Sequence, residues 1–130
     1  MKEFKGKKVF LAAPYTCKDT LLRNYRVSQI NAYAAELMLA GAVVFSPISM
    51  THPISHFTHN PCPHDFWLRQ SLSFIPWADV LIVLQLQGWD VSVGVKAEVA
   101  RAKALGKEVI EKAPLCSPSK KGEGYSKPGF

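Results

Sequence analysis

Four short segments rich in apolar residues alternate with longer amphipathic stretches along the chain. They cover residues 9–13, 43–45, 80–84 and 107–110, and the third, Val80-Leu81-Ile82-Val83-Leu84, is the strongest. Apolar residues that follow one another without alternation are typical of strands buried on both faces of a parallel sheet. The pattern therefore predicts four strands.

The stretches between these strands contain three segments with the apolar spacing of helices. The first helix is predicted from Asp19 or Thr20, either of which can cap it, to about residue 39, with Gly41 as its stop. The other two are predicted over residues 65–73 and over about 93–105. Residues 46–66 are rich in Pro, Ser, Thr and His and are predicted to form a loop.

The order β-α-β-α-β-α-β indicates an α/β fold: a doubly wound, mostly parallel sheet of four to five strands with flanking helices, Rossmann- or flavodoxin-like. We expect residues 1–114 to form a single domain. Residues 115–130 have almost no apolar content and are predicted to be a flexible basic tail. Ligands of such sheets bind beyond the carboxyl ends of the strands, where residues 13–15, 46–49 and 85–94 fall.

Composition and charge narrow the classes of partner. The chain has 130 residues and a net charge of +6, but residues 9–114 contain nine basic and eight acidic residues, so we expect no nucleic-acid binding. No apolar run is long enough to cross a membrane, and the apolar stretch near the N-terminus is too short for a secretory signal, so we expect no membrane partner. Three unpatterned cysteines favour a reducing cytoplasm.

The segment after the strongest strand carries the clearest candidate chemistry. Ser92 is a good N-cap, Gly94 lets a ligand approach the backbone, and Lys96 adds a positive charge to the free N–H groups of the helix start. Glu98 lies four residues after Gly94, about 6 Å further along the helix axis, at the edge of the apolar stripe that faces the sheet. This spacing suits a nucleotide with its 5′-phosphate at the helix start and its anomeric carbon against a carboxylate. Alternatively, Glu98 only compensates the helix dipole.

Several of these segments resemble the nucleoside 2-deoxyribosyltransferase superfamily. The similarity covers Val9-Phe10-Leu11-Ala12-Ala13-Pro14-Tyr15, Ala78-Asp79-Val80-Leu81-Ile82-Val83 and the helix containing Ser92, Gly94 and Glu98. The superfamily includes deoxyribosyltransferases and 2′-deoxynucleoside 5′-phosphate N-hydrolases. Within it the chain is most similar to the uncharacterised DUF1937 family, through Ser49-Met50-Thr51-His52-Pro53-Ile54 and Gly88-Trp89.

The resemblance implies cleavage or transfer at the N-glycosidic bond of a small-molecule nucleotide or nucleoside. Hydrolysis of a 2′-deoxynucleoside 5′-phosphate is its preferred form, with Glu98 as the nucleophile and Ser92 and Gly94 holding the phosphate. It also implies a homo-oligomer, a dimer or a tetramer. Motifs of dinucleotide reductases, P-loop NTPases and α/β-hydrolases are absent from the sequence, and we expect no cofactor.

Two positions depart from the pattern of the superfamily. Its second carboxylate, which assists departure of the base, falls on Ser71, and Asp65 can replace it only if the alignment shifts. The superfamily often has a tyrosine at Phe10, and Tyr15 is the candidate for a catalytic hydroxyl in its place. Two alternatives therefore stay open: a non-catalytic nucleotide-binding module, and a hydrolase of NAD or another ribosylated metabolite.

Further candidates come from the predicted loops. His52, His56, His59, Cys62 and His64 fit no zinc-binding pattern, so we expect no metal, and His52 is the best of them for contacting a ligand. Trp89 is expected either to stack on a base or to pack over the end of the sheet. The remaining candidate substrate-binding residues lie at strand ends: Ala13, Pro14, Ser46 and Gly88.

Overall fold

The computed structural model describes residues 1–58 and 62–115 and contains one four-stranded sheet. All neighbouring strands are parallel, in the order β2-β1-β3-β4. Phe10 of the central strand pairs with Phe45 on one side and Leu81 on the other. The predicted parallel α/β sheet is confirmed, with four strands: β1 (Lys8–Ala12), β2 (Val43–Phe45), β3 (Val80–Leu84) and β4 (Glu108–Lys112).

Four α-helices flank the sheet: α1 (Thr20–Leu39), α2 (Pro47–Ser55), α3 (His64–Leu72) and α4 (Val93–Ala104). The three predicted helices are confirmed to within a residue or so at either end. Asp19 caps α1, since its carboxylate accepts hydrogen bonds from the N–H groups of Leu21 and Leu22 at 2.9 and 3.3 Å. Gly41 follows α1 with a φ of 99°, a backbone conformation that favours glycine.

The predicted loop over residues 46–66 is wrong in its first half, which forms α2. Pro47 is the first residue of this helix, where a proline ring fixes a suitable φ and removes no needed donor. Pro53 lies inside the same helix, where proline is normally unfavourable. The helix packs against α1, and its Ser49 donates a hydrogen bond to the side chain of Asn31.

Both faces of the sheet are buried, as the continuous apolar strands predict. On one face, Val9 and Leu11 of β1 pack with Ile82 and Leu84 of β3 against α1. On the other face, the alternate strand residues contact α4, in a cluster of Phe10, Ala12, Leu81, Val83, Val95 and Ala102. Successive side chains of a strand point to opposite faces, so each strand contributes to both apolar layers.

The strand order creates a crevice above the centre of the sheet. After β1 the chain moves outward to β2, and it then returns to the other side of β1 to form β3 and β4. The connections after β1 and β3 therefore diverge, which is where open α/β sheets bind ligands. No helix in the described part of the chain is long and apolar enough to cross a membrane. Residue 59 and most of the predicted tail, 116–130, lie outside the described residues.

Candidate functional site

A cavity of about 900 Å³ opens at the carboxyl ends of β1 and β3. Its walls come from the loop after β1, from α1, α2 and α3, and from the loop between β3 and α4. This volume lies within the range of small-molecule sites, about 300–1,000 Å³. Seven of the residues predicted from the sequence line it: Ala13, Pro14, Tyr15, Gly88, Ser92, Gly94 and Glu98.

Glu98 is the only acidic side chain among the described residues that line this cavity. It lies in the second turn of α4 and is 7% exposed. Burial raises the pKa of its carboxyl to about 8, because an ionised carboxylate loses hydration in the protein interior, while a hydrogen bond with Ser71 acts in the opposite direction. At neutral pH the free protein therefore holds Glu98 mostly in its protonated form.

Ser71 of α3 can serve either protonation state of Glu98. Ser71 is 5% exposed, and its hydroxyl donates to the carbonyl oxygen of Leu68 at 3.2 Å. A hydroxyl carries one hydrogen and can also accept, so protonated Glu98 can donate to Ser71 while Ser71 donates to Leu68. When Glu98 ionises, the Ser71 hydrogen can turn to the carboxylate instead.

The start of α4 presents a second functional feature to the same cavity. Ser92 caps the helix, with its hydroxyl accepting from the N–H of Val95 at 3.2 Å. The N–H groups of the first helical residues have no acceptor within the helix and can bind an anion. A Cβ on Gly94 would make ordinary van der Waals contacts, 3.7 Å from Cε1 of His64 and 3.9 Å from the Ser92 hydroxyl, and would occupy space on the cavity wall.

Two arginines that the sequence reading did not single out also line the cavity. Arg23 donates to the carbonyl oxygen of Cys17 at 3.2 Å. Arg26, one turn later on α1, donates to the carbonyl oxygens of Thr16 at 3.1 Å and Gln87 at 2.9 Å, and so joins the loops after β1 and β3. The sequence could have indicated them, because two arginines three residues apart lie in the first turns of the helix that follows the loop after β1.

Tyr15 lines the cavity, and His52 lies behind it. The Tyr15 hydroxyl and Nδ1 of His52 are 2.7 Å apart, and the two rings meet edge to face with centroids 5.6 Å apart. Burial, followed by the charges of His56 and Arg23, lowers the pKa of His52, which favours its neutral form. The expected direct contact between His52 and a ligand is not supported, because His52 does not line the cavity and instead holds Tyr15.

Four other predicted site residues lie outside the cavity lining. Asp65 is exposed and borders a shallow depression beside Arg69. It lies six residues before Ser71, a spacing that places the two side chains on different faces of α3. Lys96 is exposed for the same reason, two residues before Glu98. The Ser46 hydroxyl is buried against that of Ser49 at 2.7 Å, and Trp89 packs on the α4 side of the sheet, which is the packing alternative.

The sequence reading also missed lining residues on the helices: Thr51 and Ser55 of α2, and Trp67 and Leu68 of α3. Thr51 and Ser55 lie on the helix that replaced part of the predicted loop, whereas Trp67 and Leu68 lie on a helix that was predicted. Across residues 1–58 and 62–115, no group of three or more His, Cys, Asp or Glu side chains is arranged to hold a metal ion.

The family model of a domain of unknown function, DUF1937, matches residues 7–113, which include the whole sheet and every described cavity residue. No curated protein matches the chain.

Proposed function

The chain belongs to the DUF1937 family, whose function is unknown, and we propose that it cleaves or transfers at the N-glycosidic bond of a nucleotide. Hydrolysis of a 2′-deoxynucleoside 5′-phosphate is the preferred form. The observation that carries the proposal is the buried carboxyl of Glu98, which shares one cavity with the capped start of its own helix.

The chemistry requires an anionic group beside the anomeric carbon. When the bond between this carbon and the base breaks, its electrons leave with the base and positive charge develops on the sugar. Ionised Glu98 would stabilise that charge or attack the carbon to form a glycosyl-enzyme, which water then hydrolyses. A phosphate held at Ser92 and Gly94 would fix the sugar about one helical turn away.

The departing base must gain a proton, and Ser71 stands where the superfamily has an acid. Among the described lining residues, Tyr15 offers a hydroxyl that a partner outside the cavity already orients. We assign Tyr15 as the donor of this proton, in the tautomer in which the Nδ1–H of His52 donates to the Tyr15 oxygen and leaves the Tyr15 hydrogen free to turn to the base; the water that hydrolyses the glycosyl-enzyme then returns a proton to Tyr15. Asp65 is not part of this assignment, because it lies on another face of α3.

Replacing Glu98 tests the proposal directly. Glu98→Gln keeps the size and the hydrogen-bonding capacity of the side chain and removes its negative charge. We expect kcat for base release to fall by about 10²–10⁴, with nucleotide affinity largely retained, because the charge acts mainly in the transition state. The matched control is Glu36→Gln on the exposed face of α1, which should leave kcat unchanged. Undiminished release by Glu98→Gln would contradict the assignment.

A second candidate function is a non-catalytic nucleotide-binding module. One observation favours it: Ser71 stands at the position of the second carboxylate of the superfamily, and a serine hydroxyl is too weak an acid to protonate the base. The wild-type protein decides between the two. Screening nucleotides and nucleosides for free base would show release in the enzyme and only binding in the module.

A further inference from the structure

The arginine pair of α1, Arg23 and Arg26, places two cations in the cavity without a carboxylate beside them. Their hydrogen bonds go to backbone carbonyl oxygens. Both ion pairs in residues 1–58 and 62–115 involve Glu3, which does not line the cavity. Nε of Arg26 is buried and has no hydrogen-bond partner in the same residues. Both arginines are half-buried, and two cations that share one cavity wall without an ion-pair partner favour an anionic ligand there.

The arginine pair is not the counter-charge of Glu98. The pKa of Glu98 is set by burial and by Ser71, with no contribution from a cation. Arg23 instead lowers the pKa of His52, which places it on the side of the cavity formed by Tyr15 and α2. The cavity therefore has a cationic region that is separate from its carboxyl.

The cationic region lies next to the start of α4. Nη2 of Arg26 binds the carbonyl oxygen of Gln87 and would be 3.2 Å from a Cβ on Gly88, whose φ is 95°. Gly88 lies in the loop that leads directly to Ser92. The arginine pair and the helix start therefore flank the same short loop, residues 88–92, on the wall of one cavity.

We propose that this cavity binds the pyrophosphate of a nucleoside 5′-diphosphate group, with one phosphoryl at the start of α4 and the next at the arginine pair. The position of the first phosphoryl rests on the proposed function. Guanidinium groups fit phosphate oxygens in a bidentate manner, and two of them one helical turn apart can share one phosphoryl group. The volume of about 900 Å³ leaves room for the second phosphoryl.

The test compares ligands that differ by one phosphoryl group. Affinities for the wild-type protein are measured by calorimetry for inorganic phosphate against pyrophosphate, and for dAMP, dGMP, dCMP and dTMP, and the corresponding ribonucleotides, against their diphosphates. NAD is a further ligand, which shows whether the second phosphoryl must be terminal or is accepted as an ester. We expect a diphosphate to bind about tenfold or more tightly than its monophosphate, as an added charged hydrogen bond provides.

The Arg23→Gln variant tests whether the arginine pair causes the preference for a diphosphate over its monophosphate. Arg23 donates to one carbonyl oxygen, whereas Arg26 also joins two loops, so the Arg23 variant is the milder change. We expect it to remove most of the tenfold preference and to leave the affinity for the monophosphate nearly unchanged. Arg101→Gln, an exposed residue of α4 outside the cavity, removes the same charge and should keep the preference.

Two results would overturn the inference: equal affinities of wild-type protein for mono- and diphosphates, or the same loss of preference in the Arg23 and Arg101 variants. Base release is measured separately on the same proteins. A diphosphate preference without any base release would contradict the proposed function and leave this inference standing. Base release without a diphosphate preference would do the reverse.

Discussion

At the scale of single residues, the properties of Glu98 follow from its surroundings on two helices. Its position on α4 turns it toward the sheet, and the packing of α3 over it removes water from the carboxyl. Ser71 supplies one hydrogen bond and no charge. A carboxyl in this setting keeps its proton to a pH well above its ordinary range. We therefore expect kcat/KM and the free energy of unfolding both to change with pH as Glu98 loses its proton.

The first prediction concerns the pH dependence of base release. If ionised Glu98 acts at the anomeric carbon, kcat/KM should increase with pH and level off above about 8, the pKa of this carboxyl in the free protein. If Glu98 instead donates its proton to the departing base, kcat/KM should decrease through the same range. A profile from pH 5 to 10 distinguishes the two roles. A profile that is flat across this range would exclude both.

The second prediction concerns stability and needs no substrate. The folded-state pKa of Glu98 is raised from 4.5 to about 8, so the native protein holds this proton more tightly than the unfolded chain does. The resulting stabilisation is complete below about pH 4.5 and is lost as pH rises to about 8; at 1.36 kcal/mol per pKa unit it is at most about 5 kcal/mol.

Glu98→Gln lacks this titration and is the reference protein for that measurement. The unfolding free energy of wild type minus that of the variant, measured in urea, should decrease between pH 5 and pH 9. Other groups titrate in both proteins and cancel in the difference. The exposed Glu36→Gln variant provides the same comparison outside the cavity. A difference between wild type and Glu98→Gln that does not change with pH would show that Glu98 titrates normally.

The sequence predicted those residues of the candidate site that lie close together on one helix. It did not predict the residues that reach the cavity through the packing of other helices. Ser92, Gly94 and Glu98 are read from a single helix start, where cap and spacing are local properties. Arg23 reaches the cavity only because α1 packs across the loop after β1. Lys96 was assigned to the site by its closeness in sequence, although two residues along a helix is nearly the opposite face.

At the scale of elements, α2 shows how tertiary packing overrides local composition. Its prolines and histidines are typical of a loop, but Pro47 occupies the first helical position and the helix packs on α1. This helix carries His52 behind Tyr15 and places Thr51 and Ser55 on the cavity wall. The loop after β1 therefore receives its support from an element that the apolar pattern alone did not reveal.

The third prediction is an energetic coupling between α2 and this loop. Tyr15→Phe and His52→Phe each remove the 2.7 Å hydrogen bond while keeping an aromatic ring. In a double-mutant cycle of unfolding free energies we expect a coupling of about 0.5–1.5 kcal/mol, the usual net value of such a bond. Pairing His52→Phe with Tyr25→Phe, an exposed tyrosine of α1, should give no coupling. Equal coupling in the two cycles would mean that the contact does not hold Tyr15.

At the scale of the whole molecule, the place of the cavity follows from topology. Four parallel strands with helical connections allow few arrangements, and the order β2-β1-β3-β4 puts the divergence of connections between β1 and β3. The apolar runs of the sequence were sufficient to predict the edge of the sheet at which the cavity lies. They could not predict its shape, because the walls depend on how α1, α2 and α3 pack over the loops.

The fourth prediction concerns how much of the chain this architecture needs. The last strand ends at Lys112, whose carbonyl accepts from Gln85 and whose side chain forms an ion pair with Glu3. These contacts fix the end of the edge strand β4 within the described residues. The sequence beyond Leu115 contains few apolar residues that could add to the core. A chain that ends at residue 115 should keep the melting temperature of the full chain within about 1 °C. The nucleotide-induced shift in melting temperature should also stay the same. A fall of several degrees in the shortened chain, measured by calorimetry, would show that residues 116–130 stabilise the domain or a contact between its copies.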